Sequence, residues 1–274
     1  MSKTGYFSHR DCWLHDMGPA HPECAARLDA IDDRLLITGV GDALDRRDAP
    51  KASMSDLELG HDRLHIASIR GLSEMAADNQ AIGGPETLML DTDTAVNGAT
   101  WNAALRACGA ALAATDAVIS GEMENAFCAV RPPGHHATRK QAMGFCFFNN
   151  VAVAAKYALM RHQLKRVAIV DFDVHQGNGT EDICAGDPHI LMVGIFQHPF
   201  YPHSGDKNPA ANMLNVPVPA YTKGMDIREI VETYWIPRLE EFKPEMIFIS
   251  AGFDAHREDD MGQLGMVEAD YAWI

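Results

Sequence analysis

Val167-Ala168-Ile169-Val170-Asp171-Phe172-Asp173-Val174-His175 changes character halfway along. Its first four residues are apolar without alternation, the pattern of a strand covered on both faces in a parallel sheet. The next five place two carboxylates and an imidazole where that strand would end. Two further apolar runs share this grammar. One is His189–Phe196. The other, Met246-Ile-Phe-Ile-Ser250, leads into Ala251-Gly252-Phe253-Asp254. Helical spacing over Asp226–Glu241 precedes it, so strands and helices alternate as in βαβ units.

The same alternation extends toward the N-terminus. Thr4–His9 and Ala126–Val130 read as strands. His21–Leu36, Asp62–Ala77, Ala99–Ile119 and Asn149–His162 read as helices. An α/β fold with a mostly parallel sheet flanked by helices follows. In open parallel sheets the ligand site lies beyond the carboxyl ends of the strands. Three such ends here carry polar residues: Arg131-Pro-Pro-Gly-His135-His136, Asp171 to His175, and Asp254 with His256.

Composition limits the function classes. The 274 residues are 47% hydrophobic and 22% charged, which suits one large domain spanning 1–274. The net charge of −15 and the lack of a basic stripe argue against nucleic acid as a partner and favour cationic ligands. No stretch approaches the roughly 20 apolar residues of a membrane span. MSKTGYFSHR lacks a signal peptide's apolar core, so no membrane association and a cytoplasmic location are expected. The six cysteines contain no CxxC pair, which argues against a zinc ribbon.

Asp173 and His175 are two apart, so in extended chain they point to one side and can grip one ion. A catalytic zinc takes three protein ligands and keeps a position open; Asp254 is the natural third. The competing reading is that Asp173 and His175 only cap a strand–loop junction. An Asp/His/Asp set suits Zn2+, with Fe2+ or Co2+ as substitutes. Such an ion polarises a carbonyl and lowers the pKa of its water from about 16 toward about 7. His135 and His136 sit in a loop stiffened by two prolines, and a histidine there can take a proton near neutral pH. Asp171 and Asn178 flank the metal pair and can orient imidazoles. A carboxylate partner raises basicity and an amide does not, so the two histidines should differ.

RPPGHH (131–136), MGFCFFNN (143–150), DFDVHQGNGT (171–180) and SAGFDAH (250–256), in this order, resemble the histone deacetylases and their acetylpolyamine amidohydrolase relatives. His15-Asp-Met-Gly18 and His21-Pro-Glu-Cys-Ala-Ala-Arg27-Leu fit the same family's N-terminal pattern. The resemblance implies an arginase/deacetylase-like three-layer sandwich and hydrolysis of an acetyl amide. It makes Asp173, His175 and Asp254 zinc ligands, His136 the general base partnered by Asn178, and His135 the second histidine, backed by Asp171. Asn178 in place of Asp resembles the class II branch. Phe145 and Tyr201 are implied as walls of the substrate channel, and Asp93 as the carboxylate that grips substrate amides, with Asp91 close by as an alternative. The family also binds K+ near Asp171 and the carbonyls of Asp173 and His175. Acetyl-lysine proteins or acetylated polyamines are the implied substrates, and self-association into a homo-oligomer is implied too.

Two features depart from the family pattern. The strand after the metal pair reads Gly194-Ile195-Phe196-Gln197 where relatives run Ser-x-His-Gln, which predicts a weakened K+ site. No Gly-Gly-Tyr segment, the family's oxyanion-stabilising element, occurs in the 20 residues after Asp254 (274 − 254). The expectation is a domain truncated at its C-terminus and weakly active. Two rival readings stand beside the deacetylase. A two-manganese ureohydrolase needs another carboxylate where Gly177 stands. A catalytically dead module would bind acetylated ligands without hydrolysing them.

Overall fold

The computed structural model describes residues 3–274. Contacts along the chain gather into two units, one running through Tyr157 and one beginning at Ala158, with the division inside a helix. The first unit has strands β1 (Thr4–Ser8), β2 (Leu44–Asp48), β3 (Thr87–Met89), β4 (Ala95–Asn97) and β5 (Asn125–Cys128). Its helices are α1 (Asp11–Leu14), α2 (Ala26–Thr38), α3 (Met54–Leu57), α4 (Arg63–Ala81) and α5 (Thr100–Ile119), and α6 (Asn150–Arg161) contains the division. β1 lies between β2 and β5 in a parallel sheet, and β3 and β4 form an antiparallel pair. β2 reads LDRRD and lacked a strand signature. It is an edge strand whose charges face outward: Arg46 pairs with Asp32 and stacks on Tyr6, and Arg47 pairs with Asp45 and Glu122.

The second unit holds β6 (Val167–Asp171), β7 (Ile190–Gln197), β8 (Met213–Val218) and β9 (Met246–Ser250), all parallel, in the order β8-β7-β6-β9. Helices α7 (Asn178–Cys184), α8 (Gly224–Ile230), α9 (Ile236–Phe242) and α10 (Glu268–Trp273) complete it. Phe172, Val174, Ile195 and Trp235 lie in its core. The expected α/β architecture, mostly parallel sheets flanked by helices, is the one found.

Three expectations need correction. α2 begins at Ala26 rather than His21, because the His21 ring accepts the Glu23 N–H (3.1 Å) and the chain turns before the helix starts. The single helix over Asp226–Glu241 is α8 and α9 joined by a π-turn at Val231–Trp235. Pro237 has no N–H to continue the α-helical ladder, and the wider turn absorbs that loss. β6 and β7 are buried along their whole length, whereas β9 alternates, with Ile247 50% and Ile249 58% exposed. β9 is an edge strand, and its Ile247 and Ile249 side is open to solvent.

The start of the RPPGHH loop is held by a buried ion pair in the first unit. Arg131 is fully buried. Its Nε and Nη2 donate to the two Glu23 carboxylate oxygens (2.6 and 2.7 Å), and its Nη1 donates to the carbonyls of Cys12 and His15 (both 2.9 Å). Burial pushes the Glu23 pKa up, but the Arg131 hydrogen bonds and charge outweigh it and hold the carboxyl below its ordinary range. Removing one partner strands the other charge in the interior. Glu23→Ala is therefore expected to cost about 3–5 kcal/mol in a urea titration; an unchanged midpoint would show that the pair carries no stability.

Acid should weaken the same unit by a second route. Burial lowers the pKa of His15 to about 4 and that of His61 to about 3. Between those values and the unfolded value near 6.5, the unfolded chain binds protons that the native chain does not, so stability falls as pH falls. The unit is expected to lose on the order of 2 kcal/mol per histidine between pH 7 and pH 5. Urea midpoints that do not move between those two pH values would contradict it.

Candidate metal centre

The carboxyl end of β6 folds back on itself through its own carboxylates. Asp171, 3% exposed, accepts the Asp173 N–H at Oδ1 (3.2 Å), and Asp173 Oδ1 accepts the His175 N–H (2.8 Å). These two turns put the Asp173 and His175 side chains together. Asp254, beyond the neighbouring β9, is locked to the same segment because its Oδ1 accepts the Val174 N–H (2.9 Å). His175 Nδ1 then lies 3.1 Å from Asp173 Oδ1 and 3.0 Å from Asp254 Oδ2.

One ligand atom from each of these residues falls within 4.8 Å of the others. A tetrahedral ion with bonds of about 2.0–2.1 Å needs ligand atoms about 3.3 Å apart. The two His175 separations are just under that, so a slight opening of the triangle seats an ion. The electrostatics agree. Burial, and then the Asp173 charge, push the Asp254 pKa up to about 6. Burial pulls His175 down, but hydrogen bonds and charges from Asp173 and Asp254 overcome it and raise its pKa to about 10. Two half-buried carboxylates facing one imidazole make a cluster that attracts positive charge, as a cation site must.

Several contacts around the triangle were not read from the sequence, although Tyr201 and Asn178 were named there as site residues. A Cβ on Gly252 would lie 2.0 Å from Asp173 Oδ2, so only glycine lets the chain pass behind that carboxylate. The Phe200 ring stacks on His175 with centroids 5.3 Å apart and an angle of 18°; Tyr201 meets the same imidazole edge-on at 6.0 Å. Gln176 Oε1 accepts from Ser204 Oγ (2.8 Å), which ties this aromatic loop to the residue after His175. Asn178 opens α7. The glycine of SAGFD was the one legible signal among these.

The first unit gathers the other predicted residues. His135 and His136 are 7% and 4% exposed, with ring centroids 4.0 Å apart. The His136 ring lies against the Gly144 backbone, where a Cβ would sit 2.4 Å from its Cδ2. Gly144 and Phe145 occupy a tight turn closed by two hydrogen bonds between Met143 and Cys146 (3.1 and 2.9 Å). Phe145 has φ +68, strained for a bulky residue. Its N–H is held by Thr94 Oγ1 (3.1 Å), and its ring meets His21 edge-on at 4.7 Å. His21 in turn donates to the Asp93 carbonyl (2.9 Å). Asp91 Oδ1 accepts the N–H groups of Asp93 and Thr94 (3.0 and 2.6 Å), so its carboxylate shapes the loop that presents Asp93. Burial, then Asp91, raise the Asp93 pKa.

A family profile described as the histone deacetylase domain matches residues 21–274. The chain belongs to the histone deacetylase family. A histone deacetylase-like amidohydrolase of Pseudomonas aeruginosa is 37% identical, the match covering 96% of this chain and 73% of that protein. Histone deacetylase 14 of Arabidopsis thaliana, named as chloroplastic, is 34% identical over 92% of this chain and 63% of that protein. The crystal structure of the HDA15 HD domain superposes with a TM-score of 0.89 at 30% identity, covering 98% of this chain and 80% of that one. The histone deacetylase fold is thus shared over nearly the whole chain. Among the described residues no helix is long and apolar enough to cross a membrane.

Gly252→Ala is expected to push Asp173 out of the triangle and weaken Co2+ or Zn2+ binding by roughly 10- to 100-fold. Calorimetric titration of metal-stripped protein measures it; wild-type affinity in the variant would mean that Asp173 is not a ligand.

Proposed function

We propose that this protein is a zinc-dependent amidohydrolase that removes acetyl groups from amines, releasing acetate. The observation that carries the reading is the Asp173–His175–Asp254 triangle, set within motifs of a family whose relatives are named as deacetylases and amidohydrolases. Three protein ligands leave one position open, the pattern of a catalytic rather than a structural zinc. When bound, zinc supplies Lewis acidity toward the acetyl carbonyl and toward water; Fe2+ or Co2+ fit the same donors.

The remaining roles belong to side chains. His136 is the general base, which takes a proton during attack and returns it to the departing amine. Asn178 is its partner, and His135 with Asp171 forms the second pair. Phe145 and Tyr201 line the channel for the acyl chain, and Asp93 accepts hydrogen bonds from substrate amides. Both contact units belong to one catalytic domain in this reading, since the family match runs unbroken from 21 to 274. A K+ ion beside Asp171 and the carbonyls of Asp173 and His175 would lack a hydroxyl at Gly194. The net charge of −15 favours acetylated polyamines and basic acetyl-lysine segments, by long-range attraction. The thiols of Cys12, Cys24, Cys108 and Cys128 are free, which suits the cytoplasm. Self-association into a homo-oligomer completes the proposal.

Metal analysis with a panel of acetylated polyamines and acetyl-lysine peptides tests the reading. One metal per chain and acetate release are expected, with turnover lost by about 10²-fold or more in His136→Ala. Two metals per chain would favour a ureohydrolase, tight binding without acetate release a dead module, and full turnover in His136→Ala would remove the proposed base.

A further inference from the structure

The segment from His135 to Asn149 carries the proposed base and one proposed channel wall, and the start of α4 grips both of its arms. His61, two residues before α4, is 2% exposed. Its Nδ1–H donates to the Thr138 carbonyl (2.9 Å), and its Nε2 accepts the Asn149 N–H (2.8 Å). One ring thus bridges the outgoing and the returning arm. His65, in the first turn of α4, donates to the Phe147 carbonyl (2.8 Å), and the Asp62 N–H donates to the Arg139 carbonyl (2.9 Å).

Asn149 extends this grip to the base itself. It is fully buried. Its Oδ1 accepts the Ala152 N–H (3.0 Å), which caps α6. Its Nδ2 donates to the carbonyls of Ala137 (3.2 Å) and His135 (3.4 Å), the two residues on either side of His136. The peptide unit that leads into the base, and the one that follows Ala137, are therefore tied to the start of a helix, and that helix start is tied through His61 to α4.

We propose that His61 and Asn149 are positioning residues that fix the orientation of His136; the inference rests on the reading of His136 as general base. The geometry specifies one tautomer of His61, because one ring nitrogen faces a carbonyl and the other faces an N–H. A second proton on the ring would set donor against donor at Asn149. Burial holds the His61 pKa down to about 3, so the ring stays neutral and serves both arms at working pH. Hydrogen-bonded outer residues of this kind fix the orientation of the groups they hold.

Three variants separate positioning from simple structural support. Asn149→Ser keeps an oxygen for the helix cap but is too short to reach the Ala137 and His135 carbonyls. His61→Leu removes both hydrogen bonds, and His61→Gln can restore a donor and an acceptor. Hydrogen–deuterium exchange of the segment 135–148 in the metal-free protein is read beside kinetics on an acetyl-lysine peptide. In Asn149→Ser and His61→Leu, exchange is expected to rise roughly tenfold in that segment and not in α5, with kcat down roughly 10- to 100-fold and KM little changed. His61→Gln should recover most of both. Unchanged exchange overturns the proposal, as does faster exchange with full kcat, or a His61→Gln protein no better than His61→Leu. Full turnover in His136→Ala would remove the base but not the clamp, which the exchange data decide by themselves.

Discussion

Two carboxylates and one imidazole held within hydrogen-bond distance at the rim of a parallel sheet are the arrangement on which the second unit turns. Like charges do not gather in a partly buried place unless the backbone forces them to. Here it does so by short means. Asp171 and Asp173 each accept an N–H two residues on, and Asp254 accepts the Val174 N–H, so the three side chains are fixed by main-chain bonds as well as by their contacts with one another. β6 and β9 are adjacent and parallel, with Asp171 in register with Ser250, so the segments that leave them emerge side by side. The sheet thereby joins residues about 80 positions apart without a long loop. Burial and the Asp173 charge raise the Asp254 pKa, and the two carboxylates raise that of His175, so the cluster favours positive charge of the kind a cation would bring.

The same logic explains which parts of the molecule were legible in its sequence. Buried parallel strands announce themselves because both faces demand apolar side chains, so Val167–Val170 and His189–Phe196 stand out. β2 and β8 did not. One is charged at the sheet edge, and the other carries Pro217, which only an edge tolerates. The Asp173–His175–Asp254 cluster was legible because strand ends that carry Asp and His violate the apolar pattern around them. Its supports were not, because a stacked ring such as Phe200 or a hydrogen bond such as that from Ser204 to Gln176 depends on chain segments meeting in space. Glycine is the intermediate case. Gly252 and Gly144 sit inside recognisable motifs, but the reason for each, a carboxylate or an imidazole pressed against the backbone, appears only in three dimensions.

In the first unit the loops are held by neutral histidines as well as by charge. His15 donates to or accepts from Thr100 Oγ1 at 2.9 Å, His61 joins two loop arms, and His65 holds the Phe147 carbonyl. A neutral imidazole offers one donor and one acceptor on a rigid ring, so it can link two backbone strands at fixed separation. Lysine or arginine in the same place would bring a charge to be neutralised, as Arg131 does through Glu23. The unit uses both devices. The ion pair fixes the start of the RPPGHH loop, and the imidazoles fix the remainder.

Rigidity of this kind has a chemical purpose in the proposed reaction. A histidine that removes a proton has to present one particular nitrogen in one direction, and the loop bearing it has no regular secondary structure to supply that direction. Hydrogen bonds to the carbonyls of His135 and Ala137 act on the peptide plane that leads into His136 and on the one that follows Ala137, so they constrain the Cα–Cβ vector of His136 through the backbone on both sides. The ring stays available for proton transfer, while the Gly144 backbone beneath it limits how far it can turn. A glycine floor and two anchored peptide planes restrain the side chain through its surroundings, which is how an irregular loop can position a base as a strand or helix would.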